Sequence, residues 1–246
     1  MDKYQISLNV RKLMIGNALL LTLVTSQAQA GLAEGYAAYE RGEFESAYAE
    51  LLPVAEAGDV NAAYYLGLLY WEGQGVDKNV DNALVWLNDA AERGHTGAQL
   101  TVALAHERGQ GVQQNYHVGA EWMMEAARGG NADAQYLLGV RYRDGRGVVQ
   151  DHREALRWIE RSVSGDRLNP LFLDSLLFLA AAREWGRGAS QDLTEAYKWY
   201  TLAAGYSTND ARIYDDAVRS MDALSTRMAA ASIAEAQHRA ETWRSR

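Results

Sequence analysis

The residues able to do chemistry are few and scattered. Five histidines, His95, His106, His117, His152 and His238, show no metal-ligand spacing, and the chain has no cysteine. A structural or catalytic zinc site needs three or four such ligands converging, so no metal centre is expected. Ser162, Ser164 and Ser175 would need an adjacent base to act as nucleophiles, and none lies in a Gly-x-Ser-x-Gly elbow. The Gly-x-Gly triplets ending at Gly75, Gly111, Gly147 and Gly188 lack the strand and third glycine of a nucleotide-binding loop and read as turns. Asp144 and Glu184 fall at helix ends, where solvated carboxylates are expected. His106 stands where other segments carry Tyr and reads as a packed or hydrogen-bonded histidine. No cofactor and no catalytic set is expected, and the chemistry left to the chain is non-covalent binding.

The elements that carry these residues recur. Trp86, Trp122, Trp158 and Trp199 are separated by 36, 36 and 41 positions. Gly75, Gly111, Gly147 and Gly188 repeat those differences, as do Ala83, Gly119, Ala155 and Ala196. A period in the thirties with helical patterning predicts an all-α solenoid, in which each helix pair buries its apolar face by stacking on its neighbours. The first helix of each pair carries a column, Gly67, Ala103, Gly139 and Ala180, that accepts nothing larger than Ala, which predicts a close helix approach. Asn79, Asn115, Asp151 and Asp192 are placed to cap the second helix, Asp151–Glu154 and Asp192–Glu195 at capping-box spacing. On that helix Ala83, Trp86, Ala90 and Ala91 share a face, with the Trp expected to supply most of the buried area. Gly94, Gly130, Gly165 and Gly205 close the repeats.

Around this array the chain reads as four parts. Residues 1–30 look like a secretory signal: Lys3, Arg11 and Lys12 precede the apolar run Leu13–Val24, and Ala28-Gln29-Ala30 suits cleavage after Ala30. An uncleaved anchor is the alternative. Residues 31–59 form a degenerate capping unit, 60–206 four repeats and 207–246 C-terminal capping helices. In the fourth repeat five extra residues fall most economically in Arg167–Leu173, and the apolar stretch Leu171–Leu179 is either gap-filling core or an exposed partner patch. Removing residues 1–30 leaves 216 residues with 21 cationic and 31 anionic side chains, a net of −10. Such a surface repels nucleic acid and anionic lipid, and no lipid-acceptor Cys follows the signal, so no stable membrane insertion is expected after cleavage.

The pattern Ala-x-x-x-Leu-Gly-x-x-Tyr-x-x-Gly-x-Gly-Val, then an N-cap, then Ala-x-x-Trp-x-x-x-Ala-Ala-x-x-Gly, seen from Ala62 to Gly94 and again from Ala134 to Trp158, resembles the Sel1-like repeat, a relative of the tetratricopeptide repeat. The resemblance implies an α/α superhelix used as an adaptor or scaffold, with exported bacterial members serving exopolysaccharide assembly, flagellar motors or host contact. It also implies that first helices line a concave groove. The groove residues would be Tyr64, Leu68 and Trp71; Leu100, Leu104, Glu107 and Arg108; Tyr136, Val140 and Arg143; and Leu177, Glu184 and Trp185. The expected function is a non-catalytic periplasmic scaffold holding a segment of another cell-envelope protein. A structural subunit of an envelope assembly is the second reading. A third, β-lactamase or penicillin-binding activity as in cysteine-rich exported relatives, lacks the cysteines those relatives carry.

Overall fold

The structure, a computed structural model, describes residues 30–164, 171–207 and 209–245. Among these residues there are twelve helices and no strand. The first, α1, spans 30–40. It is followed by α2 (Phe44–Glu56), α3 (Val60–Glu72), α4 (Val80–Glu92), α5 (Thr96–Arg108), α6 (Tyr116–Arg128), α7 (Ala132–Asp144), α8 (His152–Ser162), α9 (Phe172–Trp185), α10 (Leu193–Tyr206), α11 (Ala211–Ser225) and α12 (Ala230–Arg244). The expected signal segment up to residue 29, the repeat-closing Gly165 and the part of the five-residue insertion up to Pro170 lie outside the described residues. The chain divides into two compact units, residues 1–98 and 99–246, with the division inside α5.

The expected all-α architecture of paired helices is present, and one contact recurs within the pairs. In the first unit a Cβ added to Gly67 would lie 2.6 Å from Leu87 Cγ. Gly35 of α1 makes the same approach to Leu51 of α2, also 2.6 Å. In the second unit Gly139 stands against Ile159, 2.4 Å from its Cγ1, and 2.8 Å from the Ala155 carbonyl oxygen. The second repeat inverts the arrangement: Ala103 is on the first helix and Gly119 on the second, where a Cβ would lie 2.9 Å from the Ala103 carbonyl oxygen. One member of each such pair gives up its side chain, and the helices close to a distance that a methyl group would forbid.

That contact also corrects the expected core. The large side chains fully enclosed on α2, α4, α6 and α8 are Leu51, Leu87, Met123 and Ile159, one position after the register of the Trp column. Trp86 and Trp122 are only half-buried, whereas Trp158 and Trp199 are buried. The residue facing the side-chain-free position receives the tightest packing. Trp158 instead joins a cluster with Met123, Ala126, Ala127, Ala134 and Leu138, which ties its pair to the preceding one.

The loops are held by polar groups in register. Asn79, Asn115, Asp151 and Asp192 accept from backbone N–H groups of the first turn of α4, α6, α8 and α10, as expected of caps. The reciprocal half of a capping box is replaced by another bond. The caps' own N–H groups donate to the carbonyls of Tyr70, His106, Tyr142 and Arg183 at 2.8–2.9 Å, closing each loop onto the first helix. Gln114, Gln150 and Gln191 each donate through Nε2 to a carbonyl near that helix's end, at 2.7–2.8 Å. The second glycine of the loop does more than turn the chain. Gly147 and Gly188 have positive φ, and a Cβ on either would sit 2.1 Å from a carbonyl oxygen, that of Tyr116 or His152 in the preceding second helix.

The apolar stretch of the fourth repeat is core. Phe172, Leu176 and Leu179 are buried, in one cluster with Leu156, Ile159, Tyr200 and, from the C-terminal helices, Ala217, Leu224, Ala236 and Ala240. Two positions that are Ala in other repeats are here Ser162 and Ser175, whose hydroxyls meet at 2.9 Å, one donating to the other, with the Ile159 and Leu171 carbonyls at 2.8 and 2.9 Å as the further acceptors within reach. They pin α8 to α9 at the irregular junction, a structural use of two candidate nucleophiles. Within unit 2, Trp243 of α12 stacks on Phe172 at 6.2 Å and meets Trp199 edge-on at 5.8 Å.

Substituting Gly139→Ala gains about 1 kcal/mol of helix propensity but overpacks Ile159 and the Ala155 carbonyl, for a net loss of about 1–2 kcal/mol. Urea unfolding measures it. Adding Ala155→Gly and Ile159→Met, the second repeat's residues, should recover much of that loss.

Candidate functional site

On α3 in the first unit, Tyr64, Leu68 and Trp71 are all half-buried. Tyr64 stacks on His95 at 4.2 Å and meets Tyr65 edge-on at 5.3 Å. From there the rings continue to Tyr36 at 5.4 Å, and through Tyr39 at 5.0 Å to Phe44 at 5.6 Å. Of this run the sequence placed only Tyr64 in the groove. The rest are Tyr36 and Tyr39 of α1, whose register is shifted by its shorter turn, Phe44 at the start of α2, His95, and the neighbouring position Tyr65. Burial raises the pKa of the Tyr39, Tyr64 and Tyr65 hydroxyls, and the Glu40 charge adds to the effect on Tyr39 and Tyr65.

In the second unit, Leu100 and Leu104 of α5 pack half-buried against the cluster around Met123. Tyr136 and Leu177 pack in the same way against the cluster around Leu176. Val140 is half-buried, while Arg108 and Trp185 are exposed, Trp185 by 60%. Arg143 forms a fork with Asp144, 2.6 and 3.0 Å, and its guanidinium lies 5.7 Å from the centre of the Phe178 ring. The pair holds the Asp144 carboxyl below its usual range.

Two expected surface anchors are internal. Glu107 is 4% exposed and accepts both arms of the Arg141 guanidinium, at 2.5 and 2.6 Å. A carboxylate so enclosed is tolerated only with a bidentate partner. Glu184 is 8% exposed and accepts from the Tyr200 hydroxyl at 2.9 Å, with Arg227 at 3.6 Å. Burial, with Glu184 adding to it, pushes the Tyr200 pKa up to about 12. These carboxylates join helices to one another rather than facing a ligand.

The histidines are likewise dispersed. His95 Nδ1 accepts from the Ala98 N–H at 3.0 Å, capping α5 as Asp59 caps α3 and Asn131 caps α7. The column Asp59, His95, Asn131, spaced 36 and 36, carried that signal in the sequence. His106 is half-buried, and its Nδ1 has no hydrogen-bond partner among the described residues. No group of three or more His, Asp or Glu among the described residues could hold a metal ion, and no described helix is long and apolar enough to cross a membrane.

Repeated antiparallel helix pairs, glycine-rich turns and a varied first-helix face define a solenoid-class repeat protein. The Sel1 repeat model matches residues 60–95, 97–131, 132–166 and 173–204, more than half of the chain, which belongs to the Sel1 repeat family. A Sel1 repeat protein from Oxalobacter formigenes, known from its crystal structure, is 28% identical over 70% of this chain and 68% of that one, with a TM-score of 0.64. A protective antigen present in uropathogenic Escherichia coli strains, displaying an SLR fold, is 25% identical over 88% of this chain at a TM-score of 0.71, and the match spans 45% of that protein. No curated protein matches. Sel1 repeat proteins generally mediate protein–protein interaction, and the fold is typically a non-catalytic scaffold.

The cap at His95 makes a pH prediction. Burial lowers the imidazole pKa, and only the neutral ring can accept from Ala98 through Nδ1. Its contribution to stability is therefore full above the unfolded histidine pKa of about 6.5 and is lost as pH falls through the lower folded value. Urea midpoints measured between pH 7 and 5 should fall less for His95→Asn, which keeps a capping acceptor, than for the native protein.

Proposed function

We propose that this chain is an exported, non-catalytic scaffold whose first-helix faces hold a segment of a cell-envelope protein. One observation carries the reading. The columns that recur between repeats, the small residues, caps and loop glycines, are used up in holding the helices together. The positions that vary, Tyr64, Leu68, Trp71, Leu100, Leu104, Arg108, Tyr136, Val140, Arg143, Leu177 and Trp185, all keep part of their surface in solvent. Aromatic, aliphatic and arginine side chains on a rigid helix are the usual anchors of a protein interface. Export is supported by the composition of residues 1–30 and by the description of the E. coli neighbour as a protective antigen.

In-cell crosslinking and affinity capture, with native protein beside a Tyr64→Asp/Tyr136→Asp variant and melting curves for both, tests this. A single identified envelope protein should be captured by the native form and lost with the folded variant. Capture of the same set by both would contradict the reading, as would steady turnover of a chromogenic β-lactam by the purified protein.

A further inference from the structure

The first unit is electrically unlike the rest of the chain. Residues 31–98 hold twelve Asp and Glu against Arg41, Lys78 and Arg93, a net of −9, whereas residues 99–246 hold nineteen against eighteen, a net of −1. Two of the three cations are engaged: Arg41 forks onto Glu43, and Arg93 pairs with Asp89 and donates to the Gly58 carbonyl. Glu40 and Glu72 are exposed and form no ion pair among the described residues, and their charges reach the Tyr39 hydroxyl. Two of these carboxylates therefore act on the middle of the ring run Phe44–Tyr39–Tyr65–Tyr64–His95, Glu40 and Glu72 at Tyr39 and Glu40 at Tyr65, and beside it Tyr36 is 44% exposed.

We propose that this tyrosine ledge, flanked by Glu40 and Glu72, binds a lysine- or arginine-bearing extended segment of the partner protein. The proposal rests on the reading of the first-helix faces as binding surfaces and names the chemistry of the occupant. Ring faces and edges offer apolar area to the stems of Lys and Arg, and the quadrupole of a tyrosine attracts the cationic head. The exposed carboxylates of Glu40 and Glu72 give the head its counter-charge, and a field of one sign steers a cationic segment in and turns an acidic one away. A neutral glycan would use the rings alone and gain nothing from the charge.

The test is fluorescence anisotropy of the purified protein with three probes: a labelled Arg/Lys-Ala peptide, its Glu-Ala counterpart and a neutral oligosaccharide. The cationic peptide alone should bind, more weakly as salt rises from 50 to 200 mM. Glu40→Gln/Glu72→Gln should weaken it about tenfold, and Tyr36→Ala should weaken it too. Tyr214→Ala, an exposed position on α11 in the other unit, should leave it unchanged. Equal binding of the acidic peptide, binding of the oligosaccharide, native affinity in the double carboxylate variant or no binding of the cationic peptide would overturn the proposal. If the cationic peptide fails while the Tyr64→Asp/Tyr136→Asp variant still loses its envelope partner, the basic occupant is wrong and the binding face stands. If both fail, the face itself is wrong.

Discussion

The structure depends on a side chain that is missing. Where Gly35, Gly67 or Gly139 meets Leu51, Leu87 or Ile159, the two helices of a pair come together closer than an alanine would permit, and the large residue is wholly enclosed. The second repeat reaches the same end by moving the glycine to position 119 on the other helix. A contact of this kind sets how the helices of a pair lie against each other. The loop glycines at 147 and 188, whose backbone lies against the preceding second helix, set how one pair follows the next. With both relations fixed by residues that present almost no side chain, the outer positions are free to vary.

Much of this was written in the spacing. The Trp, loop-glycine and cap columns recur at 36, 36 and 41, and the helices and caps fall where those columns place them. The Trp column was expected to supply most of the buried area, yet the position after it, Leu87, Met123 or Ile159, is the one fully enclosed; both recur with the same period, and periodicity alone does not rank neighbours by burial. Gly35 was missed because the α1–α2 turn is shorter than the Gly-x-Gly loops, which breaks the register. Glu107 and Glu184 read as surface charges since their partners, Arg141 and Tyr200, lie 34 and 16 positions away with no local pattern to announce them. The tyrosine run spans two helices and a turn, so its continuity belongs to packing.

Function follows from how the residues are divided. Serines that could have been nucleophiles bond each other, a histidine that could have been a ligand caps a helix, and two carboxylates that could have faced solvent hold helices together. The variable remainder is aromatic, aliphatic and basic surface on helices whose positions are rigidly determined. On the reading proposed above, such a surface would bind by shape and charge. The two units differ in kind: −9 of the net −10 after residue 30 belongs to the first, and seventeen of the nineteen arginines there belong to the second.

The most direct measurement is site-specific photocrosslinking in cells. A photoreactive residue would be placed in turn at Leu68, Trp71, Arg108 and Trp185 on first helices, and at Val85, Glu121 and Arg157 on second helices. A discrete adduct with one envelope protein, formed from first-helix positions and absent from second-helix ones, is the expected result. An adduct formed only from the second-helix positions, or equally from both, would contradict the assignment of the binding face.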